Sequence, residues 1–173
     1  MEHFDVYDEL GNKTDKTVPR GAPLKAGEYF LIVHVWIQNP EGKFLIQRRA
    51  KPSDATPYLW ATTTGGAAVG EDARQAAQRE TEEELGLTFD KNAFQRLKII
   101  TSTRGRWQTI CHVFLVEDAI STHDVRVNPN EVLDVTHASL SHIQRMISDK
   151  TFWDYPYLMN DPDYFRVLEK RKR

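Results

Sequence analysis

The stretch from 71 to 84 carries Glu71, Asp72, Glu80, Glu82, Glu83 and Glu84 against two bases, Arg74 and Arg79, a local charge of −4. On a helix, at about 100° per residue, placing Glu80 at 0° puts Glu84 at about 40° and Glu83 at about 300°. Those three carboxylates share a face, and Glu82, at about 200°, does not. Ala73, Ala76 and Ala77 fall within about 60° of Glu80 and continue the same stripe. Small residues let a helix sit close to a sheet, so the glutamates extend a packed face. A charge run is ordinarily a solvated surface. Carboxylates at i, i+3 and i+4, however, repel by about 0.2–0.5 kcal/mol per pair even in water. Burial raises that cost until protons or a cation neutralise them. All-oxygen ligands suit a hard ion, Mg²⁺ or Mn²⁺, and Mg²⁺ readily takes substrate phosphates as further ligands. The chemistry implied is metal-assisted reaction at a phosphoryl oxygen, with a carboxylate free to activate water.

Several elements must position this helix. Residues 72–85 contain neither Gly nor Pro, with acids at the start and Gly86 as a stop. Residues 30–38 are almost wholly apolar and β-branched, which predicts a strand buried on both faces. Asn39-Pro40-Glu41-Gly42 is turn chemistry, and 43–49 read as a partner strand. Further strands are predicted at 59–64, 96–103, 107–116 and 131–137, and helices at 139–148 and 162–171. Residues 4–10 predict the start of an N-terminal hairpin, and 16–28, with Pro19, Gly21, Pro23 and Gly27, a connector. The class is α+β in a single domain.

The segment running Gly65, five residues, Glu71, seven residues, then Arg79-Glu80-Thr81-Glu82-Glu83-Glu84-Leu85-Gly86-Leu87 resembles the Nudix box. All fixed identities of that box match, a coincidence on the order of one in a million at average residue abundance. One place departs: an aliphatic position is Thr81, on a packing face of the helix. Outside the box, Phe4-Asp5-Val6-Tyr7-Asp8, Val33-His34-Val35-Trp36-Ile37, Phe44-Leu45-Ile46-Gln47-Arg48-Arg49 and Pro57-Tyr58-Leu59-Trp60 are similar to the Nudix branch related to isopentenyl diphosphate isomerase. The likeness spans about residues 4 to 148. It implies an α/β/α sandwich with a mixed sheet between helices and the box as loop–helix–loop. Glu80, Glu83 and Glu84 would be metal ligands for Mg²⁺ or Mn²⁺, with the Gly65 carbonyl as an added one. Arg79 would orient the carboxylates. Glu71 would support the helix through Arg79 or assist a water at the metal, and Glu83 is the further catalytic candidate. The implied reaction is attack of water on a diphosphate.

Other residues are weighed against plainer roles. Glu131 is either an added ligand or base from a loop after the box, or a loop anchor. Arg48 and Arg49 end a strand that runs toward the site, where alternation turns one of them inward to meet phosphate oxygens. Arg104 and Arg106 read as a solvated turn, His34 and Trp36 as core, and Cys111 as a core filler. Three functions remain: a hydrolase of a pyrophosphate, an isopentenyl diphosphate isomerase, and a silent ligand-binding module. Isomerases of this kind place a catalytic Cys, then Gly-His, after the Trp before the box. Here Gly65 and Ala67 stand in the Cys and His places, and the single Cys lies far along the chain. No glutamate of the box is lost, which disfavours a silent module.

Lys and Arg number 23 and Asp and Glu 25, a net −2 that argues against a nucleic-acid partner. That average conceals the acidic box and a basic stretch at 166–173 of local charge +4. No apolar run approaches the ~18 residues of a membrane span and no signal opens the chain, so no membrane partner and a cytoplasmic location are expected. The expected partner is a small-molecule pyrophosphate. Oligomeric state, a homodimer included, stays open. Specificity is expected from loops at 16–28, 50–58, 104–106 and 117–130.

Overall fold

Strand β3, Tyr29–Gln38, is the axis of the fold, and nine of its ten residues are buried as its apolar run predicts. The computed structural model describes residues 1–50, 56–103, 108–154 and 161–169. Along one side of β3 runs β8, Thr109–Glu117, in parallel, and β7, Gln95–Ser102, pairs antiparallel beyond it. The other side is shared end to end by three partners. β1 (His3–Tyr7) meets its start, β6 (Thr63–Gly66) its middle and β4 (Phe44–Arg49) its end. β2 (Lys13–Pro19) pairs with β1, while β5 (Trp60–Ala61) and β9 (Val132–Ala138) pair with β4. The sheet is therefore mixed.

Alternation along β3 gives each face its own layer. Leu31, Val33, Val35 and Ile37 pack with Ala73, Ala76 and Ala77 of α1, Ala73–Leu85. On the reverse face Trp36 packs with Leu140, Ile143 and Met146 of α2, Leu140–Ser148, and with Leu168 of α3, Arg166–Glu169. The expected sandwich of helices about a mixed sheet is what forms. His34 is wholly buried there, its Nδ1 2.6 Å from the Tyr164 hydroxyl, which also accepts from Trp36 Nε1 at 3.0 Å. Cys111 lies in the same layer, fully buried.

Three boundaries differ from the sequence reading, the first at 59–64, expected as one strand but split into β5, paired with β4, and β6, paired with β3. The expected connector begins inside strand β2, a polar edge strand whose burial alternates without an apolar stripe. The hairpin it forms with β1 is joined to the main sheet through Val6↔Phe30, not set before it. The expected C-terminal helix at 162–171 shows turns before α3, and its last two residues lie outside the described residues. So do Arg104, Arg106 and most of the 50–58 loop.

Candidate metal and catalytic site

Helix α1 is fixed at both ends by its own residues. Asp72 caps the start, accepting from the Gln75 N–H at 2.9 Å while the Gln75 side chain accepts from the Asp72 N–H at 2.9 Å. Gly86 ends it at φ 64, and its N–H reaches the Glu82 carbonyl at 2.9 Å. A side chain at Gly86 would also press on the backbone of Arg126. Thr81, the departure from the box pattern, is fully buried, and its hydroxyl donates to the Ala77 carbonyl at 2.7 Å. The helix itself satisfies that hydroxyl, so the position packs as an aliphatic residue would.

With the alanines against the sheet, the same stripe carries Glu80 and Glu84 inward, to 9 % and 6 % exposure. Glu82 is exposed as the wheel requires. Glu83 stands at the rim, its side chain 52 % exposed. The floor beneath them is the α1-facing side of β4 and β6. Gly65 stands opposite Val33, and any side chain there would collide with the Glu80 carboxyl. Gln47, 2 % exposed, donates from Nε2 to Glu84 Oε2 at 2.7 Å, and its Oε1 accepts from the Thr63 hydroxyl at 3.1 Å.

Arg79 ties the group together. Its Nε donates to Glu71 Oε1 at 2.7 Å, and Nη2 to Glu71 Oε2 at 3.0 Å and to the Gly66 carbonyl at 2.8 Å. Its Nη1 donates to Glu80 Oε1 at 2.8 Å and Glu83 Oε2 at 3.0 Å. Glu71 also accepts from the Ala68 N–H at 2.9 Å. Burial works to raise the Glu71 carboxyl, but these bonds hold it below its usual range. Glu80 and Glu84 go the other way. Burial pushes Glu80 up to about 7 against the pull of Arg79. Burial, with the Glu80 charge added, pushes Glu84 up to about 8 against its bond from Gln47.

Glu131 is close enough for its charge to raise both Glu80 and Glu84. Its loop is fastened to the neighbouring elements, with the Asn128 N–H on the Glu84 carbonyl at 3.1 Å and the Ala50 N–H on the Glu131 carbonyl at 2.9 Å. Of the two strand-end arginines, Arg49 is the one at the site. Its positive charge lowers Glu84, and its guanidinium lies 4.2 Å from the ring centre of Trp153. Arg48 is exposed and donates from Nε to the Tyr58 carbonyl at 3.1 Å. Gln47, Thr63 and Trp153 were not singled out from sequence. The available signal was Gln47 itself, a polar residue two places after Leu45 on an inward face.

Among the described residues no three His, Cys, Asp or Glu side chains already stand as a closed metal cage. Arg79 spans Glu80 and Glu83, and Gln47 holds one oxygen of Glu84. The donor set nonetheless fits a divalent ion. One guanidinium serves Glu71, Glu80 and Glu83 together. Two buried carboxylates kept high by desolvation are short of positive charge, and all donors are hard oxygens.

The model of the NUDIX domain matches residues 28–160. An uncharacterized Nudix hydrolase of Listeria innocua is 33 % identical over 165 residues, 91 % of this chain and 92 % of that protein. An isopentenyl-diphosphate Delta-isomerase of Enterobacter sp. is 29 % identical over 168 residues, 93 % of this chain and 89 % of that one. A crystal structure of DR0079 from Deinococcus radiodurans superposes with a TM-score of 0.74 at 18 % identity, covering 99 % of this chain and all of the other.

Proposed function

Because this chain belongs to the Nudix hydrolase family, we propose that it cleaves a pyrophosphate bond in a nucleoside diphosphate derivative or related diphosphate, using Mg²⁺ or Mn²⁺. The carrying observation is the burial of Glu80 and Glu84 side by side over Gly65 and Gln47. Glu80 and Glu84 are the principal ligands in this reading, with Glu83 at the rim and the Gly65 carbonyl completing the set. When bound, the ion stabilises charge on the phosphoryl oxygens.

The remaining roles belong to the chain. Both oxygens of Glu71 are engaged, which supports reading it as the anchor of Arg79. In this reading Glu83, half exposed beside the buried pair, takes a proton from water. Arg79 orients Glu80 and Glu83 through one nitrogen. Arg49, at the site and steadied by Trp153, meets a diphosphate oxygen. Arg48 is the outer and lesser contact. Glu131 brings a further carboxylate to the rim. A cytoplasmic setting suits a diphosphate metabolite as substrate.

The isomerase likeness is met by one specific observation. Cys111 is fully buried on the face of the sheet away from α1, and burial pushes its thiol up, the reverse of what proton transfer at the site needs. The deciding experiment is a panel of nucleoside diphosphate derivatives and other pyrophosphates, with isopentenyl diphosphate included, incubated with Mg²⁺ or Mn²⁺. Release of a phosphorylated product that stops with EDTA is expected. Isomerised isopentenyl diphosphate without hydrolysis of any panel member overturns the reading.

A further inference from the structure

We propose that Gln47, oriented by Thr63, is a positioning residue that presents Glu84 to the divalent ion by holding one carboxylate oxygen with an uncharged donor. This rests on the metal reading above. Gln47 is the buried polar side chain of β4, on the face that Leu45 turns toward α1. Its amide is used at both ends, Nε2 toward Glu84 Oε2 at 2.7 Å and Oε1 under the Thr63 hydroxyl at 3.1 Å. A reversed amide would set oxygen against oxygen at that short distance, so the orientation is settled by its neighbours.

Why an amide serves here is a matter of charge and geometry. A buried carboxylate left to rotate would lose entropy on meeting an ion, and a fixed one has already lost it. A Lys or Arg in the place of Gln47 would fix Glu84 too, but would neutralise the charge that attracts the cation. The amide fixes Oε2 without adding a positive charge and leaves Oε1 for coordination. Arg79 already spends a full positive charge on Glu80 and Glu83. A second one on Glu84 would leave the site little call for a divalent ion. Partners that orient metal ligands in this way commonly carry 10–100-fold of metal affinity.

The test measures Mn²⁺ binding to the intact, substrate-free protein by electron paramagnetic resonance, with melting temperature in EDTA as the fold control. Gln47→Met removes both bonds at similar volume. The expected result is a Mn²⁺ Kd weaker by tenfold or more, with melting in EDTA close to wild type. Thr63→Val keeps the amide but frees it to turn, and should weaken Kd by a smaller factor. Thr63→Ser restores the hydroxyl and should restore the affinity. Unchanged Mn²⁺ affinity in Gln47→Met overturns the proposal. If that variant does not fold, Thr63→Val decides, and wild-type affinity there overturns it equally. Failure of the wild-type protein to bind Mn²⁺ is a distinct result: it overturns the metal reading, and this proposal with it.

Discussion

The backbone of Gly65 and the carboxyl of Glu80 stand so close that a methyl group on Gly65 would overlap the Glu80 side chain. Gly65 is not among the glycines with positive φ. Space, not backbone freedom, therefore demands glycine at this place. Gly65→Ala should push Glu80 off the floor of the site while the sheet holds. Misplacing a reacting group by an ångström costs on the order of a hundredfold in rate, so kcat on the best pyrophosphate substrate should fall by about that factor. Wild-type turnover in Gly65→Ala would show that Glu80 does not work from this position.

Glu84→Gln removes a buried carboxyl whose ionised form the desolvated site holds at a cost. The metal-free variant should melt at or above the wild-type temperature. Its turnover should fall by roughly a hundredfold or more, since a lost ligand removes several kcal/mol of stabilisation from the transition state. Calorimetric melting in EDTA and steady-state rates in Mg²⁺ check the two halves. A variant that keeps its rate removes Glu84 from the ligand set.

Arg79 reaches Glu71, Gly66, Glu80 and Glu83 through the fixed fork of its guanidinium. A single ammonium cannot span those acceptors. Arg79→Lys should retain the fold but lose about a hundredfold in kcat, because Glu80 and Glu83 are no longer aimed. The same network bears differently on the two catalytic candidates of the box, Glu71 and Glu83. On the proposed roles, with both Glu71 oxygens bonded, Glu71→Gln should cost about tenfold and Glu83→Gln about a hundredfold. The reverse order of those two effects sinks the assignment of Glu83.

What the sequence revealed of this site is what helical periodicity controls. Residues Glu80 and Glu84, the alanine stripe, the outward Glu82 and the stop at Gly86 all follow from spacing within one element. Glu83 shows the limit of the wheel. It shares the angular sector of Glu80, but its side chain stays half exposed and pairs with Arg79. Gln47 and Thr63 were missed because their role is made by two strands meeting a helix, a coincidence no local pattern encodes. Part of strand β2 reads as a connector because an edge strand with one solvated face needs little apolar sequence. Glu131 and Arg49 are candidates in the sequence, and in the fold the charges of both act on the buried Glu84.

His34 offers a prediction about stability that is independent of the metal. Its ring is completely buried, and burial lowers its pKa to about 3 from the ordinary 6.5. In the folded protein it stays neutral at pH 5.5, while in the unfolded chain it takes up a proton below about pH 6.5. The unfolded state therefore binds more protons in the window between about 3 and 6.5, and stability must fall as pH drops through it. From pH 7.5 to 5.5 this one group should cost about 1.4 kcal/mol. Other groups titrate in the same range, so the measurement is a difference. His34→Asn keeps a polar group facing the Tyr164 hydroxyl but cannot titrate. Urea unfolding of both proteins at the two pH values should show wild type losing about 1.4 kcal/mol more than the variant. Equal losses would mean that the folded protein accepts a proton at His34, and hence that the layer around Tyr164 opens to water.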